Sequence, residues 1–319
     1  MRYVSLGEKS TKLGFGEAIL ELAEKNPNLI ILGADITASV GLNMVAEKFP
    51  ERFFSLGIAE QNVTAVAAGL ALTGKLPVYS TYSVFAAFRA ADQVRLSICY
   101  NNVKVIIGGA HAGISVGPDG ATHQALEDIA LMRALPNMTV ISPCDANQAK
   151  VLTIAAAEHV NGPIYVRFGR EPVPNFTPLN QDVKIGKAQL LCKGSDVAIV
   201  ATGHMVWEAL QAAKLLGEKN ISATVVNVHT IKPLDKELLV EVAKQTKFVV
   251  TVEEHQVNGG LGGAVAEVLS QNYPVLMDII GMPDCFGESG KPQELLQKYG
   301  LNSRGIYERV RAKLYEKRK

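Results

Sequence analysis

The sequence predicts an α/β protein made of two domains, each built on a parallel sheet. First, a chain of 319 residues is long enough for two domains of ordinary size. Second, short apolar runs rich in branched residues alternate with longer helical patterns, and runs that are apolar throughout are typical of strands covered on both faces. Third, a proline-containing stretch at residues 171–185 interrupts this alternation once. We therefore expect domains at residues 1–170 and 186–319, joined by that linker.

The first domain carries a series of predicted strands separated by predicted helices. Each strand is a short apolar run, and each helix shows apolar residues at helical spacing. The predicted strands are residues 29–33, 53–56, 77–81, 103–107, 138–142 and 164–168. The predicted helices are residues 16–24, 63–72, 84–97, 124–134 and 146–159.

The second domain repeats the same alternation over a shorter length. Its predicted strands are residues 197–202, 223–228, 248–252 and 275–280. Its predicted helices are residues 206–216, 234–244 and 262–269, followed by a charged amphipathic helix at residues 303–319. The same fold class therefore applies to both halves.

Composition excludes several classes of protein. Hydrophobic residues make up 48% and charged residues 20%, which is the balance of a globular protein. The net charge of +1 favours neither a nucleic-acid nor a membrane partner. The first residues lack the apolar stretch of a secretion signal, and the four widely spaced cysteines form no metal-binding pair, so we expect a cytoplasmic protein without its own metal site.

The first candidate for chemistry is the acid in the sequence GIAEQN. Glu60 follows a predicted strand and opens an apolar helix, where ligands bind in open α/β sheets. Its neighbours Ile58, Val63 and Val66 are apolar, so we expect its carboxyl to be partly desolvated. The alternative is an ordinary acid stabilised by the helix dipole.

The second candidate is an aromatic stripe at the end of another predicted strand. Tyr82, Phe85 and Phe88 recur every third residue, which in a helix places them along one side. Such a stripe is either a stacking wall for a flat heterocycle or part of the core.

The third candidate is the loop at residues 111–123. It combines His111, Asp119 and His123 with three glycines. Glycines allow the backbone to approach a ligand closely, and these side chains suit hydrogen bonds to hydroxyls or contact with a phosphate. A structural loop is the alternative.

Several longer stretches make the pattern more specific. They are GADIT, GIAEQN, STYSVFAAFRAADQVR, GPDGATHQ, TIKPLD and VEEHQVNGGLGG, in this order. Together they resemble the thiamine diphosphate-dependent transketolase family, specifically its pyrimidine-binding and C-terminal domains. The resemblance runs from Lys12 to the C-terminal helix. It implies that the chain corresponds to the C-terminal subunit of a two-chain transketolase, a transferase of the pentose phosphate pathway.

The resemblance also implies roles for individual residues. Glu60 would hydrogen-bond a ring nitrogen of the cofactor and favour its imino form. Tyr82, Phe85 and Phe88 would hold the pyrimidine ring, and Asp35 would lie near the cofactor. Together with Glu60, the family's catalytic positions match His111 and His123.

Substrate positions carry over in the same way. The resemblance implies that Ser39, His111 and Arg170 contact the phosphate of a sugar phosphate, and that Asp119 and His123 bind its hydroxyls. Lys12 stands where the family usually has arginine. Lysine keeps the positive charge but cannot make the bidentate hydrogen bonds of a guanidinium.

One family motif is absent from the sequence. The family binds the diphosphate through Mg²⁺ with a GDG motif, and this chain contains none. The resemblance therefore implies an N-terminal partner subunit that supplies the Mg²⁺ ligands, in an α2β2 assembly with a homodimer of this chain.

Three alternatives stay open at this point. The beta subunit of a 2-oxoacid dehydrogenase shares GIAEQ and the two-domain plan but needs no sugar-phosphate pocket. A 1-deoxyxylulose-5-phosphate synthase normally carries all domains in one chain. A non-catalytic relative would be free to lose the acid and the aromatic stripe. The loop histidines, Asp119 and Arg170 favour transketolase.

Overall fold

The computed structural model describes residues 3–317, and the predicted α/β class is confirmed. The strands are β1 (Glu8–Ser10), β2 (Leu29–Gly33), β3 (Phe53–Ser55), β4 (Leu76–Tyr82), β5 (Ile106–Ala110), β6 (Thr139–Ile141), β7 (Ile164–Arg167), β8 (Pro172–Pro174), β9 (Gln189–Cys192), β10 (Val197–Ala201), β11 (Ala223–Asn227), β12 (Thr230–Lys232), β13 (Phe248–Gln256) and β14 (Leu276–Met282). The helices are α1 (Thr11–Lys25), α2 (Asn43–Lys48), α3 (Glu60–Leu72), α4 (Ala91–Gln93), α5 (Asp128–Ala134), α6 (Ala146–His159), α7 (Met205–Gly217), α8 (Lys236–Thr246), α9 (Leu261–Asn272), α10 (Pro292–Lys298) and α11 (Ser303–Lys317).

The first sheet has seven strands in the order β12-β6-β7-β5-β4-β2-β3. All neighbours are parallel except β12 and β6. One face is covered by α1, whose residues Phe15, Ile19 and Leu22 recur at helical spacing and are buried. The other face is covered by α3 through Val63 and Ala67. The parallel strands therefore end at one edge of the sheet, and their loops meet there.

The second sheet has five strands in the order β14-β13-β10-β11-β9, with β9 the antiparallel member. Helices α7 and α11 pack on one face through Val206, Ala209, Ile306 and Val310. Helices α8 and α9 cover the other face and share a continuous core with the first domain. The second domain therefore buries apolar surface against the first.

Two pairings cross the boundaries expected from the sequence. Strand β12, from the second half of the chain, pairs antiparallel with β6 of the first sheet, so Thr230 lies opposite Ile141. Strand β8, inside the predicted linker, pairs antiparallel with β1. The sequence pattern does not predict these two strands because each is only three residues long. Their partner strands lie far away in the chain.

Strand β5 lies three residues later than predicted, and the reason is its glycines. The apolar run ends at Ile107, but Gly108 and Gly109 continue the strand. A Cβ at Gly108 would lie 2.6 Å from Ser80 Oγ, and one at Gly109 would lie 2.3 Å from the Tyr165 hydroxyl. Side chains of both neighbouring strands therefore occupy the space that a larger residue would need.

The predicted helix at residues 84–97 is not a regular α-helix. Two π-helical segments, Phe85–Arg89 and Val94–Tyr100, flank the single turn of α4. In the first π segment, defined as Phe85–Arg89, the N–H of Ala90 donates to the Phe85 carbonyl at 3.1 Å, an i to i+5 bond. This wider turn changes which residues share a face.

Candidate active site

The candidate site lies where the parallel strands of the first sheet end. Glu60 opens α3 shortly after β3, and Tyr82 is the last residue of β4. His111 follows β5, and Arg170 follows β7. These side chains come from distant parts of the sequence because consecutive parallel strands place their carboxyl ends at one edge.

The carboxyl of Glu60 is the buried acid of this site. Its side chain is 2% exposed, and its Oε2 accepts a hydrogen bond of 2.9 Å from the Arg89 guanidinium. The next turn of α3 is fixed by Thr64, whose hydroxyl donates to the Glu60 carbonyl at 2.8 Å. The predicted burial of Glu60 is confirmed, and Arg89 is a site residue that sequence reasoning did not identify.

Four rings form a cluster that is linked to this carboxyl through Arg89, whose guanidinium carbon lies 4.0 Å from the Phe85 ring centroid. Tyr82 lies 4.3 Å from His111, 5.9 Å from Phe85 and 5.7 Å from His123 between ring centroids. Phe85 lies 5.4 Å from His123, edge to face. The site thus has an aromatic wall made from β4, the first π segment and the loop after β5.

Phe88 is not part of this wall. Its side chain is 43% exposed, and within residues 3–317 it makes no ring contact with the four clustered residues. The predicted stripe assumed an α-helical turn, in which residues three apart share a face. The first π segment has a wider turn, so Phe88 points elsewhere than Phe85.

The loop after β5 is held in an unusual backbone conformation. His111 has a φ of 55°, in the left-handed region, and Gly113 follows with a φ of 89°. A Cβ at Gly113 would lie 2.3 Å from the Glu254 carboxyl carbon, so only glycine fits this approach. Glu254 also accepts a hydrogen bond from the backbone N–H of Ser115. A residue of the second domain therefore fixes the loop that carries His111.

The His111 imidazole is neutral at physiological pH. Burial lowers its pKa to about 4, and the positive charges of Lys12 and Arg170 act in the same direction. Its Nδ1 is buried without a hydrogen-bond partner among the described residues. The ring is therefore suited to hydrogen bonding with a polar ligand.

Arg170 and Asp119 form an ion pair on the rim of the site. The Arg170 guanidinium donates to Asp119 Oδ1 at 3.0 Å and to the Val116 carbonyl at 3.2 Å. Both side chains are about one-third exposed. Arg170 also lies 3.4 Å from Glu171, so Lys12 and Arg170 bring two cations to a rim that carries two acids as well.

Two predicted residues are not joined to this cluster. Asp35 follows β2 at the same sheet edge, with a φ of 65° and an exposed side chain. Ser39 lies on the next turn and is half-buried. Within the part of the chain that the structure describes, no hydrogen bond or ion pair connects either side chain to the other predicted residues.

A buried ionic network connects the site to the second domain. Arg167 binds Asp128 at 2.9 Å and donates to the Glu254 carbonyl at 2.9 Å. The Glu254 carboxylate lies 2.9 Å from His204 Nε2. Burial alone opposes charge on both partners, but their mutual attraction lowers the pKa of Glu254 and raises the pKa of His204. Sequence reasoning missed this network because its members lie on separate elements.

Residues 3–317 contain neither a metal-binding cluster nor a membrane-spanning helix. No group of three or more histidine, cysteine, aspartate or glutamate side chains in residues 3–317 is arranged to hold a metal ion. No helix in this part of the chain is long and apolar enough to cross a membrane.

Two protein-family models match the chain. Residues 8–175 match the pyrimidine binding domain of transketolase. Residues 186–306 match the transketolase C-terminal domain.

Three known proteins are similar in sequence. A putative transketolase C-terminal section of Methanocaldococcus jannaschii is 46% identical over 305 residues, which is 95% of each chain. A 6-deoxy-6-sulfo-D-fructose transketolase subunit of Clostridium sp. strain MSTE9 is 40% identical over 95% of this chain and 94% of that protein. A 1-deoxy-D-xylulose-5-phosphate synthase of Synechococcus sp. strain JA-2-3B'a(2-13) is 42% identical over 94% of this chain but only 46% of the synthase.

Solved structures of similar fold include the following two. One, described as a split gene transketolase, inactive beta4 tetramer, is 47% identical, with a TM-score of 0.88 over 97% of this chain and 99% of that chain. The transketolase of Campylobacter jejuni has a TM-score of 0.81 over 98% of this chain and 48% of that chain. At 23% identity, the second match is evidence for the fold alone.

Proposed function

The chain belongs to the transketolase family, and from this premise we propose that it is the C-terminal subunit of a two-chain, thiamine diphosphate-dependent transketolase. The proposed reaction transfers a two-carbon ketol unit between ketose and aldose phosphates. The observation that carries the proposal is the buried Glu60 carboxyl, which is linked through Arg89 to the aromatic wall of Tyr82 and Phe85.

The residues present fit the pyrimidine half of the cofactor. A flat heterocycle would lie against Tyr82 and Phe85, and Glu60 would share a proton with one of its ring nitrogens. The burial of Glu60 strengthens such a hydrogen bond because water does not compete for the carboxyl. When bound, thiamine diphosphate supplies the carbanion chemistry of the transfer. Asp35 and Phe88 are also proposed to lie near the cofactor, and the family resemblance is the sole support for these two positions.

The rim suits a phosphorylated sugar. Arg170 and Lys12 provide positive charge, and the neutral His111 provides a hydrogen-bonding ring next to them. Asp119 and His123 are proposed to bind sugar hydroxyls. Because Arg170 already pairs with Asp119, a phosphate would share this guanidinium with an internal carboxylate. Ser39 completes the proposed phosphate contacts.

The diphosphate and Mg²⁺ are proposed to bind mainly to a partner subunit. The sequence contains no GDG motif. Large apolar side chains flank the Glu60–Arg89 pair: Ile58 is 72% exposed and Phe88 is 43% exposed. Exposed apolar surface next to a candidate site is typical of an interface. We therefore propose an α2β2 assembly in which the N-terminal subunit covers this surface and this chain forms a homodimer, acting in the cytoplasm.

Another thiamine-dependent activity is the competing hypothesis. The match to 1-deoxy-D-xylulose-5-phosphate synthases covers less than half of their length, whereas the matches to separate transketolase subunits cover 94–95% of those proteins. This difference in coverage favours a two-chain transketolase. A 2-oxoacid dehydrogenase beta subunit would not need Arg170 and Lys12 to bind a sugar phosphate.

The proposal is tested with this chain reconstituted with an N-terminal transketolase subunit. Ketol transfer from xylulose 5-phosphate to ribose 5-phosphate is measured beside pyruvate decarboxylation. Glu60→Ala should remove most of the transfer activity while the circular dichroism spectrum is unchanged, since the carboxyl faces a partly exposed partner. Glu294→Ala is the matched control, because it removes an exposed acid from the first turn of α10.

Three outcomes would contradict the proposal. They are full activity of this chain alone, an unaffected rate in the Glu60→Ala variant, and turnover of pyruvate in preference to the sugar phosphates. The last result would favour one of the competing thiamine-dependent activities.

A further inference from the structure

Arg89 contacts both Glu60 and Phe85, the two side chains on which the proposed pyrimidine site depends. Its guanidinium donates to Glu60 Oε2 at 2.9 Å. The same guanidinium lies over the face of Phe85, with Cζ 4.0 Å from the ring centroid. The Arg89 side chain therefore pairs with the Glu60 carboxylate and covers one face of the Phe85 ring at the same time.

The shape and chemistry of this group explain the double contact. A guanidinium is flat and carries N–H donors along its edge, so it stacks on a ring and binds a carboxylate in its own plane. A flat aminopyrimidine presents the same two features, a stacking face and an edge of hydrogen-bonding nitrogens. Arg89 and such a ring would compete for the same carboxylate oxygen and the same face of Phe85.

Glu60 depends on this contact when no ligand is bound. Within residues 3–317, the Arg89 bond is the one hydrogen bond that its carboxylate accepts. A buried carboxylate without a partner is costly, so Arg89 compensates for its burial.

Arg89 is also free to leave. Its side chain is 44% exposed, although the acid that it binds is 2% exposed. A cation that already contacts water loses little when it moves fully into solvent, and ion pairs with an exposed partner are weak.

We propose that Arg89 is a displaceable internal competitor of the cofactor, which covers Glu60 and Phe85 in the free chain and swings out when the pyrimidine binds. This inference rests on the proposed function, because it assumes that the pyrimidine binds at Glu60. It assigns Arg89 a positioning role: it keeps the acid paired until the cofactor replaces it.

The test measures binding of thiamine diphosphate to the assembly of this chain with an N-terminal transketolase subunit. Calorimetry gives the dissociation constant, and stopped-flow fluorescence gives the association rate. Arg89→Ala should bind about tenfold more tightly and associate faster, because a tenfold change corresponds to about 1.4 kcal/mol, close to the lower end for a charge-assisted hydrogen bond. Arg89→Lys, which keeps the charge without the flat group, should be intermediate.

A matched control comes from α11. Arg304 also pairs with a glutamate, Glu308, at 2.6 Å and lies 5.3 Å from the ring of Tyr307. Arg304→Ala should leave the dissociation constant and the association rate of thiamine diphosphate unchanged. In the free chain, urea unfolding should show that Arg89→Ala is less stable than wild type, because Glu60 loses its partner, and that Arg89→Lys restores part of the loss.

The outcomes separate this inference from the proposed function. Equal or weaker cofactor binding by Arg89→Ala, with wild type binding normally, would overturn the competition and leave the proposed function standing. If Glu60→Ala transfers ketol units as fast as wild type, the proposed function itself is wrong, whatever Arg89 does.

Discussion

Replacing His111 with asparagine should reduce the acid sensitivity of the folded chain. His111 is 4% exposed, and burial lowers its pKa to about 4 from 6.5. Its neutral form is therefore favoured in the folded state. The stability that this provides is complete above pH 6.5 and is lost as the pH falls towards 4.

The magnitude follows from the same two values. Each unit of pKa difference between the folded and unfolded states corresponds to about 1.36 kcal/mol. The fall from 6.5 to about 4 thus corresponds to about 3 kcal/mol of free energy of unfolding, lost across this pH range. His229 is similarly buried, with its pKa lowered to about 4, and makes an independent second contribution.

The assay is urea unfolding followed by circular dichroism at several pH values between 6.5 and 4. The quantity compared is the loss of unfolding free energy over that range. His111→Asn should lose about 3 kcal/mol less than wild type, and His229→Asn should show a similar change. His159→Asn is the control, because that side chain is 74% exposed.

An unchanged pH dependence in His111→Asn would refute the reasoning, since it would mean that the ring is solvated or charged in the folded state. The same result would remove the argument that His111 contacts substrate as a neutral hydrogen-bonding group.

Two further predictions concern arginines. Arg170→Ala should raise the KM for phosphorylated sugars by about 10- to 100-fold with a much smaller change in kcat, as expected for a lost charge-assisted hydrogen bond; an equal effect on unphosphorylated substrates in steady-state kinetics would exclude a phosphate contact. Arg167→Met should lower the free energy of unfolding by about 3–5 kcal/mol, because it leaves the fully buried Asp128 unpaired. Arg304→Met breaks the exposed pair with Glu308 and should cost at most about 1 kcal/mol in the same urea assay; equal losses would contradict this account.

The predicted elements agree best with the structure where a local pattern is strong. The run at residues 29–33 is apolar throughout and forms β2 with the predicted bounds, because such a run is stable only with both faces covered. The strand predicted at residues 103–107 is shifted by three residues, because Gly108 and Gly109 belong to β5. Side chains of the two neighbouring strands fill the space beside these glycines, so no larger residue fits there. Contacts of this kind are invisible in a local pattern.

The sequence by itself determined the fold class, the family and the sheet edge at which Glu60, Tyr82 and His111 meet. Hydrophobic periodicity is encoded in short stretches of chain, and parallel strands bring their carboxyl ends to one edge whatever their order in the sheet.

Only the tertiary structure decided which side chains complete the site. The wider turn of the first π segment moves Phe88 away from the aromatic wall and leaves Arg89 beside Glu60. Glu254 reaches from the second domain to hold the loop of His111. These contacts depend on backbone geometry and on the packing of elements far apart in the chain, which no local spacing of residue types encodes.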